Sequence, residues 1–418
     1  MDKKQYFRKT SSGKNRARGA IVIVGTLDTK GAEVDYLRVE IERSGHRTIV
    51  IDSGVLGKPQ SRADITRGEV AETGGRKLSD LVKEAKLGAD RVNTLQIMMC
   101  GLACIVKELY SSGKIGGIIC VGGSTGTALG SASMKVLPLG VPKMSVSTTI
   151  FPKYFGETDI VVMQTPSDIM GLNTILRKTL SQAAGAIIGM VDAELPTQIE
   201  KPLVAVTALG VTTPAVLNIQ PLLCAQGYEM ISFHAKSEVL DHLVEQDTIN
   251  GVIDLTSFEI IRIFVYPGQP ERQSRLDSTL RKGIPLIICP GGLDMIILRI
   301  PINEIPIHFK DRKLHRHGPQ VTLIRTDKRE MVRAAQVIAG KINKAQGPVA
   351  VVFPRRGFSE VDREGSIFYD PETDAVFMQE LKNRLADGIC FKDVDCHIND
   401  KRFAKEVSVT FDQMYRNI

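Results

Sequence analysis

Short apolar runs alternate with amphipathic stretches along most of the chain. Ala20–Val24 is apolar, the polar segment GTLDTKGAE follows, Glu33–Ser44 has helical spacing ended by Gly45, and Thr48–Asp52 is apolar again. Strand, helix and strand within about 30 residues make the unit of a parallel sheet, because parallel strands need a crossover connection. Residues 78–110 read as helix. Gly116–Val121, Pro142–Ser147 and Ile160–Gln164 read as further strands, and Ile169–Ile188 as a closing helix.

The pattern then repeats. Shifted by 182 positions, IVIVGTLDTKGAEVDYLRVEIERSGHRTIVID falls without a gap on LVAVTALGVTTPAVLNIQPLLCAQGYEMISFH. Gly45 meets Gly227, and Asp52 meets His234. IGGIICVGG is matched later by INGVIDLTS, and LGVPKMSVST by KGIPLIICPGG. The expected fold class is α/β: two similar Rossmann-like, doubly wound parallel-sheet domains from an internal duplication. They span 19–198 and 199–418, joined near Ala193–Lys201, and a basic tail at 1–18 precedes them.

Composition changes little in this picture. A length of 418 residues suits two or three domains, and 43% apolar with 24% charged residues is ordinary for a globular chain. The net charge of +7 is concentrated at one end. Residues 1–18 hold seven Lys and Arg against Asp2 alone, which leaves about +1 for the other 400 residues. That argues against a basic binding face on the folded part. No apolar run near the length of a membrane span is expected, and the first 18 residues lack the apolar core of a signal peptide. The seven cysteines include no CxxC pair and mostly sit in apolar stretches, so they read as small buried hydrophobes in a reducing compartment. No metal site is expected from them. Tryptophan is absent, which disfavours stacking platforms for single-stranded nucleic acid.

In an open parallel sheet, ligands bind beyond the carboxyl ends of the strands. The most specific loop there is VGGSTGTALG. Gly122, Gly123 and Gly126 let the backbone wrap an anion, Ser124, Thr125 and Thr127 add hydroxyls, and the residues after the loop could open a helix. It has neither the Walker A lysine nor the G-x-G-x-x-G spacing, so phosphate binding competes with a purely structural turn. In GTLDTKG, Thr26 and Thr29 are hydroxyl donors, Lys30 can pair with a phosphate, and Asp28 can orient it or hold a metal. The same stretch also reads as a helix cap with Asp28 or Thr29 as N-cap and Glu33 near N3. Asp52 ends the second strand, where a carboxylate can reach ribose hydroxyls, and Ser147 and Thr148 end the fourth. In the second half, His315 and His317 alternate on one strand face among basic neighbours. With Arg325 they suit an anion better than a metal. No residue is assigned a catalytic role.

The motifs GTLDTKGAEVDYL, DITRGEV, GGSTGTAL, LPLGVPKMSVST, DIMGLN, VTTPAV, RHGPQVTLIRT, GFSEVDREGSIFYDPETD and HIND run in order from residue 25 to 400. Together they resemble the Tm-one-like ATP-binding domain family. The resemblance implies two Rossmann-like domains, ATP with or without Mg2+ as ligand, a cytoplasmic setting, self-association as a homo-oligomer and, in many members, a TIM-barrel partner. It implies no reaction. Thr125 stands where the family loop has a glycine. FHAKSEVLDHL lacks the family's Gly-rich turn, and LTSFE shortens its threonine run. The nucleotide is therefore expected in the first domain. The alternative is an enzyme acting on a phosphorylated or carboxylated small molecule in the cleft between domains, using His315, His317, Arg325 and His397.

Overall fold

The computed structural model describes residues 19–86, 91–156, 158–194, 201–235, 239–265 and 274–417. The basic tail, most of the linker and residues 236–238 lie outside them. The chain divides into two compact units, Met1–Thr197 and Gln198–Ile418.

The first unit runs β1 (Ala20–Gly25), α1 (Leu27–Arg43), β2 (Thr48–Asp52), α2 (Arg67–Thr73), α3 (Leu78–Lys86), α4 (Arg91–Ser111), β3 (Ile115–Gly122), α5 (Ser124–Lys135), β4 (Lys143–Ser147), α6 (Pro152–Phe155), β5 (Val161–Gln164) and α7 (Thr174–Asp192). All five strands are parallel, in the order β2-β1-β3-β4-β5. Helices cover both faces, so the central strands carry unbroken apolar runs; every residue of β1 is buried. One face gathers Ile21, Ile23, Val121 and Val146 with α1 and α7. The other gathers Val22, Val24, Ile118 and Cys120 with α2, α4 and α5. The chain reverses direction across the sheet between β1 and β3, and the clefts of doubly wound sheets open at such a point.

The second unit runs β6 (Leu203–Ala208), α8 (Thr213–Ala225), β7 (Glu229–His234), α9 (Val239–Glu245), β8 (Gly251–Asp254), α10 (Glu259–Val265), α11 (Asp277–Lys282), β9 (Leu286–Ile288), β10 (Met295–Leu298), β11 (Leu314–Gly318), β12 (Val321–Arg325), α12 (Lys328–Ile342), β13 (Val349–Pro354), α13 (Pro371–Lys382), β14 (Cys390–Val394) and α14 (Lys401–Arg416). Its main sheet, read β7-β6-β8-β9-β13-β14, is parallel and repeats the first order with one strand added. Gly45 and Gly227 follow α1 and α8 at φ +84° and +98°, the left-handed geometry that closes a helix. This is the duplicated α/β architecture that the alternation predicts.

Four expectations need correction. The ungapped match is off by one residue in its first strand. Gly25 pairs with Asp52, but Ala208, not Thr207, pairs with His234, so the second unit has one residue fewer between these positions. HRHGPQVTLIRT belongs to an added antiparallel sheet, β10-β12-β11, inserted between β9 and β13. Residues 78–110 form two helices. Of these, α4 contains a 20-residue segment, Val92–Ser111, of mean hydropathy 1.3, long and apolar enough by composition to cross a membrane. Its inner face, with Met98, Leu102 and Val106, packs on the sheet side. Lastly, Cys120, Cys289 and Cys396 are buried, but Cys100, Cys104, Cys224 and Cys390 are exposed, because apolar sequence neighbours do not fix which side of a helix or edge strand faces inward.

Candidate functional site

The end of β3 runs directly into α5. Gly123 is its N-cap residue at φ −81°, ψ −159°, and among the described residues no side chain caps the helix. The first N–H groups of a helix have no partner within it, so the amides at Ser124–Gly126 are directed outward with a partial positive charge. Ser124 and Thr125 are exposed, and Gly126 and Thr127 are buried. Gly122 is required by packing, since a Cβ there would lie 2.8 Å from the Gly126 Cα. At Gly123 an added Cβ meets only Thr148 Oγ1, at an ordinary 3.6 Å. Thr125 lies within the helix, so the side chain it carries in place of a family glycine fits without strain. The Thr127 hydroxyl turns inward and shares a hydrogen bond of 2.5 Å with Ser147, whose hydroxyl also donates to the carbonyl of Thr149. The backbone N–H of Thr148 donates to Gly122 O at 3.4 Å, joining the β3 and β4 loops. Gly122–Thr127, Ser147 and Thr148 thus form one cluster.

The neighbouring start of α1 is built differently. The sequence reading leaves Thr26–Gly31 largely as loop, but the helix starts at Leu27 after the N-cap Thr26 and bends at Lys30 (φ −127°, ψ 18°). Asp52 explains the early start. It is 1% exposed, and its Oδ1 accepts the N–H groups of Leu27 (3.0 Å) and Gly54 (2.8 Å). Burial pushes the Asp52 carboxyl above the ordinary range, and these two donors oppose the rise. Asp52 is therefore turned into the protein and not toward a ribose. Asp28 is similarly tied down: its Oδ2 accepts the N–H of Gly57 at 3.0 Å, and its Oδ1 lies 2.8 Å from where a Gly54 Cβ would be. The Lys30 ammonium donates to the carbonyl of Ile169. Thr26 and Thr29 share a hydroxyl hydrogen bond of 2.8 Å. Glu33 accepts the N–H of Gly171 at 2.7 Å and takes no part in a capping box.

The equivalent end of the second sheet is filled by its own side chains. Asp254, fully buried at the end of β8, accepts from Thr207 Oγ1 (2.7 Å), Ser257 Oγ (2.8 Å) and Arg275. Thr212 and Thr256 pair at 2.8 Å beside them. The start of α8 is also occupied, because Asn399 Oδ1 accepts the N–H of Ala215 at 3.2 Å. This network was hidden in the sequence: Arg275 is distant along the chain, and only the fold brings it to Asp254.

The second-unit candidates differ in exposure: His315 is half-buried, His317 is exposed, and Arg325 and His397 are buried. His315 and His317 do share one face of β11, their rings 6.3 Å apart. Arg325 is turned away from the surface. It is 3% exposed and pairs with Asp374 at 2.6 Å, because the β12 register directs it into the interior. Of the basic neighbours, Arg312 is bound to Glu330 at 2.6 Å. His397 is 3% exposed, with Nε2 against Ser359 O (2.9 Å) and Nδ1 accepting the N–H of Asn399 (3.1 Å); burial lowers its pKa, which suits the neutral ring.

Comparison with known proteins agrees with this two-part build. Residues 19–196 match the N-terminal domain, and residues 201–415 the C-terminal domain, of the uncharacterised protein family UPF0261. A UPF0261 protein of Clostridium tetani is 39% identical over 392 residues, covering 92% of this chain and 96% of the relative. One from Brucella suis biovar 1 is 31% identical, covering 94% and 95%. The tomato (Solanum lycopersicum) ToMV resistance protein Tm-1(GCR237) is 32% identical across 94% of this chain, which spans 55% of the tomato protein. Two matched domains in order and near-complete coverage of the bacterial relatives establish that this chain belongs to the UPF0261 family.

Proposed function

We propose that the first unit binds the phosphate groups of a nucleotide, ATP foremost, at the start of α5. The observation that carries this reading is the contrast between two neighbouring helix starts at one sheet edge. The start of α1 is occupied by the Asp52 carboxylate, and that of α5 has no side-chain cap. Outward N–H groups, partial positive charge and the exposed hydroxyls of Ser124 and Thr125 suit a phosphate. Thr148, across from Gly123, is placed to border the same ligand. Asp28 and Asp52 accept backbone N–H groups, so any Mg2+ would arrive with the nucleotide's own phosphates and not on a protein carboxylate cage.

The second unit is not assigned a nucleotide, since Asp254, Arg275 and the surrounding threonines satisfy one another there. The alternative of an enzyme acting on a phosphorylated or carboxylated small molecule relies on His315, His317, Arg325 and His397. Two of these four are buried and internally paired, so the alternative is left with His315 and His317 as its accessible groups.

Calorimetric titration with ATP tests the reading. The expected stoichiometry is near one per chain. Gly123→Val should abolish binding while leaving the thermal transition in place, because a Cβ at this position meets nothing closer than Thr148. Unchanged ATP affinity in that variant would overturn the proposal, and a stoichiometry near two would return the second unit to consideration.

A further inference from the structure

Beneath the added antiparallel sheet, the second unit buries three carboxyl groups around one guanidinium. Asp294 lies in the β9–β10 connection, Asp362 in the β13–α13 connection and Asp374 in the first turn of α13. Their exposures are 0%, 0% and 2%, and Arg325, at the end of β12, is 3% exposed. The five guanidinium N–H groups are all placed. Nε donates to Phe368 O, Nη1 to Asp294 O and Thr326 Oγ1, and Nη2 to Asp370 O and Asp374 Oδ1. Only Asp374 receives a direct bond, at 2.6 Å; Asp362 stands 4.0 Å away.

The other contacts leave a pattern of unused oxygens. Asp362 Oδ2 accepts the N–H of Phe358 at 2.9 Å, and Asp294 Oδ2 accepts from Ser359 Oγ at 2.6 Å. Asp362 Oδ1, Asp374 Oδ2 and Asp294 Oδ1 receive no donor. Two of these belong to Asp362 and Asp374, whose carboxyl groups lie against the same guanidinium nitrogen, Arg325 Nη2, at 4.0 Å and 2.6 Å. A carboxyl–carboxyl hydrogen bond exists only when one partner carries a proton. Three buried anions beside one fully used cation would leave an uncompensated charge, which proteins avoid by neutralising the group.

We propose that Asp362 is a neutral carboxylic acid donating its proton to Asp374, so that the second unit folds as a proton-binding species whose 357–374 segment loosens in alkaline medium. Asp374 keeps its charge because it holds Arg325. The remaining groups facing the pair are Asp294, Asp370 at the start of α13, Lys313, which donates to Tyr369 O, and the His397 ring, which lies against Gly357 next to Asp362. Arg325 is the cation that lies against Asp362. Burial first, then the Asp374 and Asp294 charges, push the Asp362 carboxyl up to about 10, and burial raises Asp294 to about 6. A carboxyl raised in the folded state gives stability that is complete below its unfolded pKa of about 4 and is lost as pH climbs toward its folded value.

The experiment uses the full chain. Urea unfolding of the second unit between about pH 7 and 9 should show an unfolding constant rising up to tenfold per pH unit, the one-proton limit. Asp362→Asn, which donates an N–H and cannot ionise, should remove that added slope. In parallel, infrared spectra of the unaltered protein at about pH 8 should show the carbonyl band of a neutral carboxylic acid. The band reports the Asp362–Asp374 pair, whose carboxyl groups burial raises above the ordinary range, and this arm needs no variant to fold. Absence of the band, or equal pH slopes in the two proteins, overturns the proposal.

Discussion

The Asp52 carboxylate accepts the backbone N–H of Leu27 at 3.0 Å, so a residue at the end of β2 caps the helix that follows β1. The same oxygen also holds Gly54, which ties the β2 loop to the helix start. One side chain thereby occupies the first N–H group of α1, whereas among the described residues no side chain caps α5.

Asp52→Ala should lower stability by roughly 1–3 kcal/mol, because two backbone donors in a buried setting lose their acceptor. Asp52→Asn should cost less, since its amide oxygen can still accept. Urea denaturation of the two variants checks the order; equal and negligible losses would show that the contact is incidental.

Gly130 lies on α5 where a Cβ would stand 2.3 Å from Cys120 Sγ on β3. Gly130→Ala should therefore destabilise by about 1–3 kcal/mol through overpacking. Adding Cys120→Ala should restore part of the loss. A double-mutant cycle with no coupling between the two sites would refute the contact.

Lys143 is 1% exposed, and its ammonium donates to the carbonyls of Pro138 and Val141 and to Asp159 at 2.7 Å. Asp159→Ala leaves that charge buried among carbonyls alone. Removing one partner of a fully buried pair costs about 3–5 kcal/mol; Asp159 is partly open to water, so roughly 2–4 kcal/mol is expected. A thermal shift too small to measure would mean that the two carbonyls suffice.

Gly357 sits at φ +112°, and a Cβ there would lie 1.6 Å from Asp362 O. Gly357→Ala combines backbone strain with a clash against main chain, and should cost about 3–5 kcal/mol or prevent folding of the second unit. Recovery of soluble protein with unaltered circular dichroism and melting temperature would contradict this.

If the nucleotide is held by α5 and not by a carboxylate cage, its affinity should depend weakly on Mg2+. Titrations in Mg2+ and in chelator should differ by less than about tenfold, or ~1.4 kcal/mol. A larger loss in chelator would point to a protein carboxylate on the metal.

The alternation of apolar runs with helical stretches was enough to define two parallel α/β sheets, since buried parallel strands need continuous apolar side chains and crossovers of helix length. The glycines at 45 and 227 were equally legible, because a left-handed helix end selects for glycine locally. Local sequence also marked Gly122–Thr127 as a Gly-rich loop after a strand, although the helix opens inside it, at Ser124. It could not show which polar residues at the sheet edge are already spent. Asp52 and Leu27 are 25 positions apart, Asp254 and Arg275 are 21, and Arg325 and Asp374 are 49. Whether a carboxylate or guanidinium meets a ligand or another part of its own chain depends on strand register and loop path. A change of one residue in register turns a side chain to the opposite face. For that reason the sequence alone determined the scaffold and the candidate loops, and the tertiary structure decided that Asp52 and Arg325 serve the fold.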